Sequence, residues 1–221
     1  MNRNPLRRKH LVVVAVLVIA SFFLFPPVTV LDKTSAIGYA VCHQARDRTF
    51  QANGTPLPLC ARCTGIYLGI VIGLGGIVVL RRQYALDVPP TRILLPLVIF
   101  ILLMLFDGLN SLLASVPWFP SLYPPQNWLR LVTGTFYGIA ISIITYPVFS
   151  VSLWHVSLQK NEAVIGNTTE LLGFLMIGCV FVVLILWQNP LLLLPLAILS
   201  TLGVVAVLGM ISTIIVLILS H

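Results

Sequence analysis

The chain is 221 residues long, 58% hydrophobic and only 9% charged, with a mean hydropathy of +1.03. A soluble domain carries roughly 25% charged residues because its surface must face water, so the composition excludes a soluble globular protein of this size. The net charge of +7 fits basic residues that orient membrane helices and hold them near anionic lipid, and no basic helix or aromatic platform for nucleic acid accompanies it.

A basic leader, residues 1–10 with Arg3, Arg7, Arg8 and Lys9, precedes an apolar run from Leu11 to Leu31. That run exceeds the core of about 7–15 residues in a secretory signal and no A-x-A site follows it, so it reads as a retained helix. Further apolar runs cover about 62–80, 93–115, 128–150, 169–188 and 190–219. Each is near the roughly 20 residues that cross a bilayer as a helix with its backbone bonds satisfied internally. The expected fold is an all-α integral membrane protein, a bundle of about six transmembrane helices, multi-pass in the cell membrane. Residues 11–150 form a four-helix core that includes a Cys/His loop at 32–61, and 151–221 supply two further helices. Gln188-Asn189-Pro190 is the tight turn between these last two, which read as apolar helices without a polar site. With the N-terminus inside, Arg3, Arg7, Arg8, Lys9, Arg81, Arg82, Arg92 and Lys160 face inward, and Lys33, Arg46, Arg48, Arg62 and Arg130 face outward. Eight against five favours both termini inside. The lipid bilayer is the implied partner, and a protein partner or oligomer is not legible.

The polar stretch from Asp32 to Ala61 concentrates the chemistry. It holds Cys42-His43-Gln44, Arg46 and Arg48, and runs into Cys60-Ala61-Arg62-Cys63, leaving only Cys179 in the apolar fifth span, where it reads as a packing residue. Cys60 and Cys63 share one face if a helix has begun there, and the unpaired N–H groups of its first turn favour thiolates. Cys42, His43, Cys60 and Cys63 make the ligand set of a tetrahedral site for zinc or another transition metal. Adjacent Cys and His rarely both reach one metal. A Cys60–Cys63 redox pair with Cys42 as resolving thiol is the next alternative, and a disulfide that pins the loop is the third if the loop faces an oxidising compartment. Asn53-Gly54-Thr55 and Asn167-Thr168-Thr169 match a glycosylation pattern that is common by chance.

Two later residues are costly in a bilayer. Asp107, in Phe106-Asp107-Gly108-Leu109-Asn110, lies about 12 Å below the outer end of the third span near Ser115, and an ionisable group at that depth marks a functional site by default. Arg130 opens the fourth span on the same side, so the two are expected to pair. Cys60, Cys63, Asp107 and Arg130 are therefore the candidate catalytic residues. Gly65, Gly69 and Gly73 on the second span and Gly134 and Gly138 on the fourth recur every four residues, which lets backbones approach closely in lipid. Spans two and four are expected to pack together.

Cys42-His43-Gln44, Arg48-Thr49-Phe50 and the string Pro58-Leu59-Cys60-Ala61-Arg62-Cys63-Thr64-Gly65-Ile66-Tyr67-Leu68-Gly69 resemble the prokaryotic membrane-protein family called domain of unknown function 2085. Asp107-Gly108-Leu109, Leu129-Arg130, Thr133-Gly134 and Gly138 extend the resemblance over about 38–140. It implies a multipass membrane protein in which Cys42, His43, Cys60, Arg62, Cys63, Asp107 and Arg130 form one constellation, and it implies no activity. Three functions stay open: a metal-binding membrane protein, a membrane thiol–disulfide oxidoreductase, and a structural or assembly subunit. Hydrolase and nucleotide signatures such as G-x-S-x-G, H-E-x-x-H and the Walker loop are absent.

Overall fold

A computed structural model describes residues 29–116, 118, 121–154, 158 and 160–219. The basic leader and the expected first span up to residue 28 lie outside the described residues. Val30 and Leu31, expected to end that span, instead open a capped helix, α1 (Val30–Tyr39). The Asp32 N–H donates to the Thr29 hydroxyl (3.2 Å) and the Thr29 N–H donates back to the Asp32 carboxylate (3.2 Å), so a capping box starts the helix there. The polar stretch therefore begins as helix rather than loop.

After α1 the chain makes a 3-10 turn (Arg46–Arg48) and a hairpin of β1 (Gln51–Ala52) and β2 (Thr55–Pro56). Asn53 and Gly54, with φ of 50° and 75°, form its two-residue turn. Both φ values are positive, as the twist of a tight hairpin demands, and Asn-Gly is the pair that supplies them most cheaply. The Asn53-Gly54-Thr55 signal thus has a structural use.

Among the described residues, five helices are long and apolar enough to cross a membrane: α2 (Ala61–Val79), α3 (Thr91–Leu113), α4 (Asn127–Leu153), α5 (Thr168–Leu186) and α6 (Pro190–Leu219). The chain is an all-α membrane protein with a little sheet. The turn before α6 forms as expected, with Gln188 at φ 52° and the Leu191 N–H donating to the Asn189 side chain (2.9 Å). Of the five, α2 and α4 are the most buried at 44% and α3 the least at 22%, so α2 and α4 form the centre. A Cβ on Gly134 would stand 2.6 Å from the Arg62 carbonyl oxygen, and one on Gly69 or Gly138 would strike backbone of the opposite helix. The expected α2–α4 contact is present, and it is the most extensive among the described residues.

The two later helices join the same core. Leu68 of α2 and Leu131 of α4 pack with Val182 and Ile185 of α5 and Leu196 of α6, and the β1–β2 hairpin adds Phe50 and Leu57. Gly203 brings α6 against the Tyr67 backbone. Cys179 is exposed on α5 and so is not the packing residue expected.

Opposite the cysteines, β3 (Ala85–Asp87) pairs in parallel with β4 (Lys160–Ala163). Arg82 donates to the Ala163 carbonyl (2.8 Å) and to the Glu170 carboxylate (2.8 Å), whose other oxygen accepts from the Gly166 N–H (3.0 Å). Glu170 also caps α5. The fifth span thus carries a polar anchor that apolarity alone had hidden.

Candidate functional site

The site begins with a clamp. Gln44, at φ 51°, turns its side-chain amide to donate to the carbonyls of Ser35 (2.7 Å) and Pro58 (2.6 Å). Gly38 permits the contact, because a Cβ there would collide with the Pro58 carbonyl. The end of α1 is thereby held on the segment that leads to Cys60, the residue at the N-terminal cap position of α2. Cys42, whose own N–H bonds to the Gly38 carbonyl (2.9 Å), is set over Cys60 and Cys63.

The three thiol sulfurs lie within 4.8 Å of one another. The Cys60 N–H donates to Cys42 Sγ (3.3 Å), and Cys42 is only 8% exposed. Leu59, Val204 of α6, Ile37, Val41 and Tyr67 pack around the trio. Hydrogen bonds from the Cys60 and Cys63 side chains, aided by the Cys60 backbone and opposed by burial, draw the Cys42 thiol down to about 2. Donation to Cys42 holds the Cys60 thiol above its ordinary value.

His43 does not join this set. It is exposed and lies on the wall of the adjoining cavity, outside the group of sulfurs. The sequence-based quartet becomes a trio.

Asp107 is 1% exposed and paired, but its partner is Arg62 rather than Arg130. Arg62 Nη2 lies 2.6 Å from one carboxylate oxygen and donates to the Ser111 hydroxyl (2.9 Å), while the Tyr123 hydroxyl donates to the other oxygen (2.9 Å). Asn110, one turn further along α3, accepts from the Leu122 N–H (2.8 Å) and donates to the Tyr123 carbonyl (3.0 Å). Arg62 takes Asp107 because it stands in the first turn of α2 facing α3. Its separation of 45 residues from Asp107 conceals this in the sequence. Ser111 and Tyr123 went unnoticed for the same reason, although Asp107, Asn110 and Ser111 share one helical face.

Arg130 is 7% exposed and donates to the Asn127 side chain (3.0 Å). Among the described residues no carboxylate pairs with it. It lines a cavity of about 420 Å³ together with Arg48, Arg62, His43, Asp47 and the three cysteines. The N-termini of α2 and α4 both open beside it, and neither first turn contains an acidic residue or a side-chain cap. The helix dipoles therefore add positive potential to that of the arginines.

These features define a class: a multipass membrane protein with a thiol trio beside an arginine-lined cavity at one end of its bundle. The family described as predicted membrane protein, domain of unknown function 2085, matches residues 42–144, and the chain belongs to it. The match starts at Cys42 and takes in Cys60, Cys63, Asp107 and Arg130. An uncharacterised protein of Methanothermobacter thermautotrophicus is 30% identical over 105 residues, 48% of this chain and 84% of that protein. Another, from Methanocaldococcus jannaschii, is 28% identical over 140 residues, 58% of this chain and 83% of its own. No solved structure matches.

Proposed function

We propose that this is a metal-binding membrane protein whose Cys42, Cys60 and Cys63 hold one thiophilic transition-metal ion, zinc first, at the outer membrane face. The carrying observation is the approach of all three sulfurs to within 4.8 Å. Tetrahedral zinc thiolates require sulfurs roughly 3.8 Å apart given a Zn–S bond of about 2.3 Å, a contraction that side-chain rotation supplies. Three protein ligands leave a fourth position, and the cavity adjoins it. That is the pattern of zinc sites that exchange a ligand, whereas structural sites are closed by four side chains. The outer-face assignment rests on the distribution of Lys and Arg.

A second reading has its own support. Cys42 is the thiol most ready to ionise, so the trio also suits thiol–disulfide exchange, with Cys42 as nucleophile. A purely structural subunit is the third, and it requires that all the cysteines be replaceable with only a loss of stability.

Anaerobic purification in detergent, with bound metal and thiols measured on the same sample, separates the three. About one metal per chain, released as pH falls because protons compete for the thiolates, and four titratable thiols after denaturation support the metal site. No metal and two missing thiols sink it, and the reduction potential of the resulting disulfide then divides exchange from a structural bridge.

A further inference from the structure

We infer that the cavity beside the thiol trio is an oxyanion-binding site, with Arg130 as its anchor and Arg48 and Arg62 on its walls. The ligand is a phosphate group, presented either as a free anion or by an anionic lipid headgroup. The inference goes beyond metal binding and does not require a metal, since it stands on the arginines.

Arg130 is the central observation. A guanidinium that is 7% exposed ordinarily has a carboxylate or a set of acceptors, because burying an unpaired charge is costly. Here one neutral side chain, Asn127, accepts from it, and Asn127 is itself held by donating to the Asp47 carbonyl (3.0 Å). The nearest deep carboxylate, Asp107, is taken up by Arg62 and Tyr123. Arg62 adds an independent sign, for among the described residues its buried Nε has no partner while its Nη2 serves Asp107. Arg62 and Arg130 line the same cavity.

The surroundings point the same way. Arg48 contributes a third guanidinium, offset in part by Asp47 at 3.5 Å, a pair that stays largely in water. Two helix N-termini open on the site without acidic residues, an arrangement that favours anions. About 420 Å³ holds a phosphate group with its water, and Arg is suited to phosphate because its planar fork bonds two oxygens at once. The thiol trio lies in an apolar surround, and it does not fill the cavity.

Equilibrium dialysis of the full chain in detergent against radiolabelled inorganic phosphate, at ionic strength held constant with chloride, tests this. Saturable binding near one per chain is expected, weakened at least about tenfold in Arg130→Gln, the loss expected for a charged hydrogen bond. Arg48→Gln, an exposed change that leaves the core alone, is expected to weaken it by roughly threefold, which covers the case in which Arg130→Gln fails to fold. Arg46→Gln removes the same charge from a neighbouring residue outside the cavity and should leave binding as it is. A parallel series in phosphatidylcholine nanodiscs with and without phosphatidic acid identifies the source. Displacement of phosphate by phosphatidic acid assigns the headgroup, and undiminished phosphate binding assigns the free anion. Absence of saturable binding of both, or binding equally insensitive to Arg130→Gln and Arg48→Gln, overturns the inference.

Discussion

Two arginines at opposite ends of the helical bundle, Arg82 and Arg130, are treated in opposite ways. At the sheet end, Arg82 is 22% exposed and fully engaged, with Glu170 and the Ala163 carbonyl as partners, and Glu170 in turn caps α5. At the cysteine end, Arg130 is more buried yet has one neutral side-chain acceptor and a cavity before it. A protein that closes one such charge so completely has the means to close the other. The difference teaches that the cysteine end keeps a buried arginine without a carboxylate partner among the described residues, at the place where the proposed anion would bind, at some cost in stability.

The comparison can be broken most severely through what the ends share. Gly138→Leu should force α2 and α4 apart, costing about 3 kcal/mol or more because backbone cannot yield as a side chain does. Its melting temperature in detergent should fall steeply and metal binding should vanish with it. Arg82→Met acts on the sheet end alone. It leaves Glu170 partly buried without its partner, so a loss of roughly 2–3 kcal/mol is expected after discounting for partial exposure. The folded fraction should still carry metal at wild-type stoichiometry, and metal loss at the temperature where the fold persists would show that the ends are not independent.

Arg130→Gln sharpens the contrast by its small effect. Removing a buried charge without a carboxylate relieves desolvation, so the melting temperature should hold or rise, within about 1 kcal/mol in stability. A loss like that of Arg82→Met would mean that Arg130 is as fully compensated as its counterpart, and the contrast would collapse. Smallest of all, His43→Ala should leave metal affinity within about twofold, since a loss of a true zinc ligand costs far more. A fall of about a hundredfold would restore the Cys/His quartet.

Much of this was legible in the residues. Apolar length marks the spans because lipid forces each backbone segment to satisfy itself. The Gly65, Gly69 and Gly73 repeat facing Gly134 and Gly138 identified the central helix pair, since close approach in lipid needs small residues at that spacing. The thiols of Cys60 and Cys63 were bound to meet near the start of α2, and Asp107 was marked by the expense of a carboxylate at its depth. The Asn53-Gly54 hairpin was missed, although Asn-Gly is the pair that supplies two positive φ values most cheaply.

Partner choice was the part that local pattern did not contain. The sequence by itself determined that this is a helical membrane protein with thiols, a deep carboxylate and basic residues toward one end, because solvation and helix periodicity act on each residue through its near neighbours. Only the tertiary structure decided that Asp107 belongs to Arg62 and leaves Arg130 facing the cavity. It alone turned His43 outward while Gln44 drew Cys42 over Cys60, and brought Glu170 of an apolar span to Arg82. Those outcomes depend on the rotation and approach of helices far apart along the chain, and on single hydrogen bonds that direct one side chain rather than its neighbour. Geometry of that kind is set when the bundle packs.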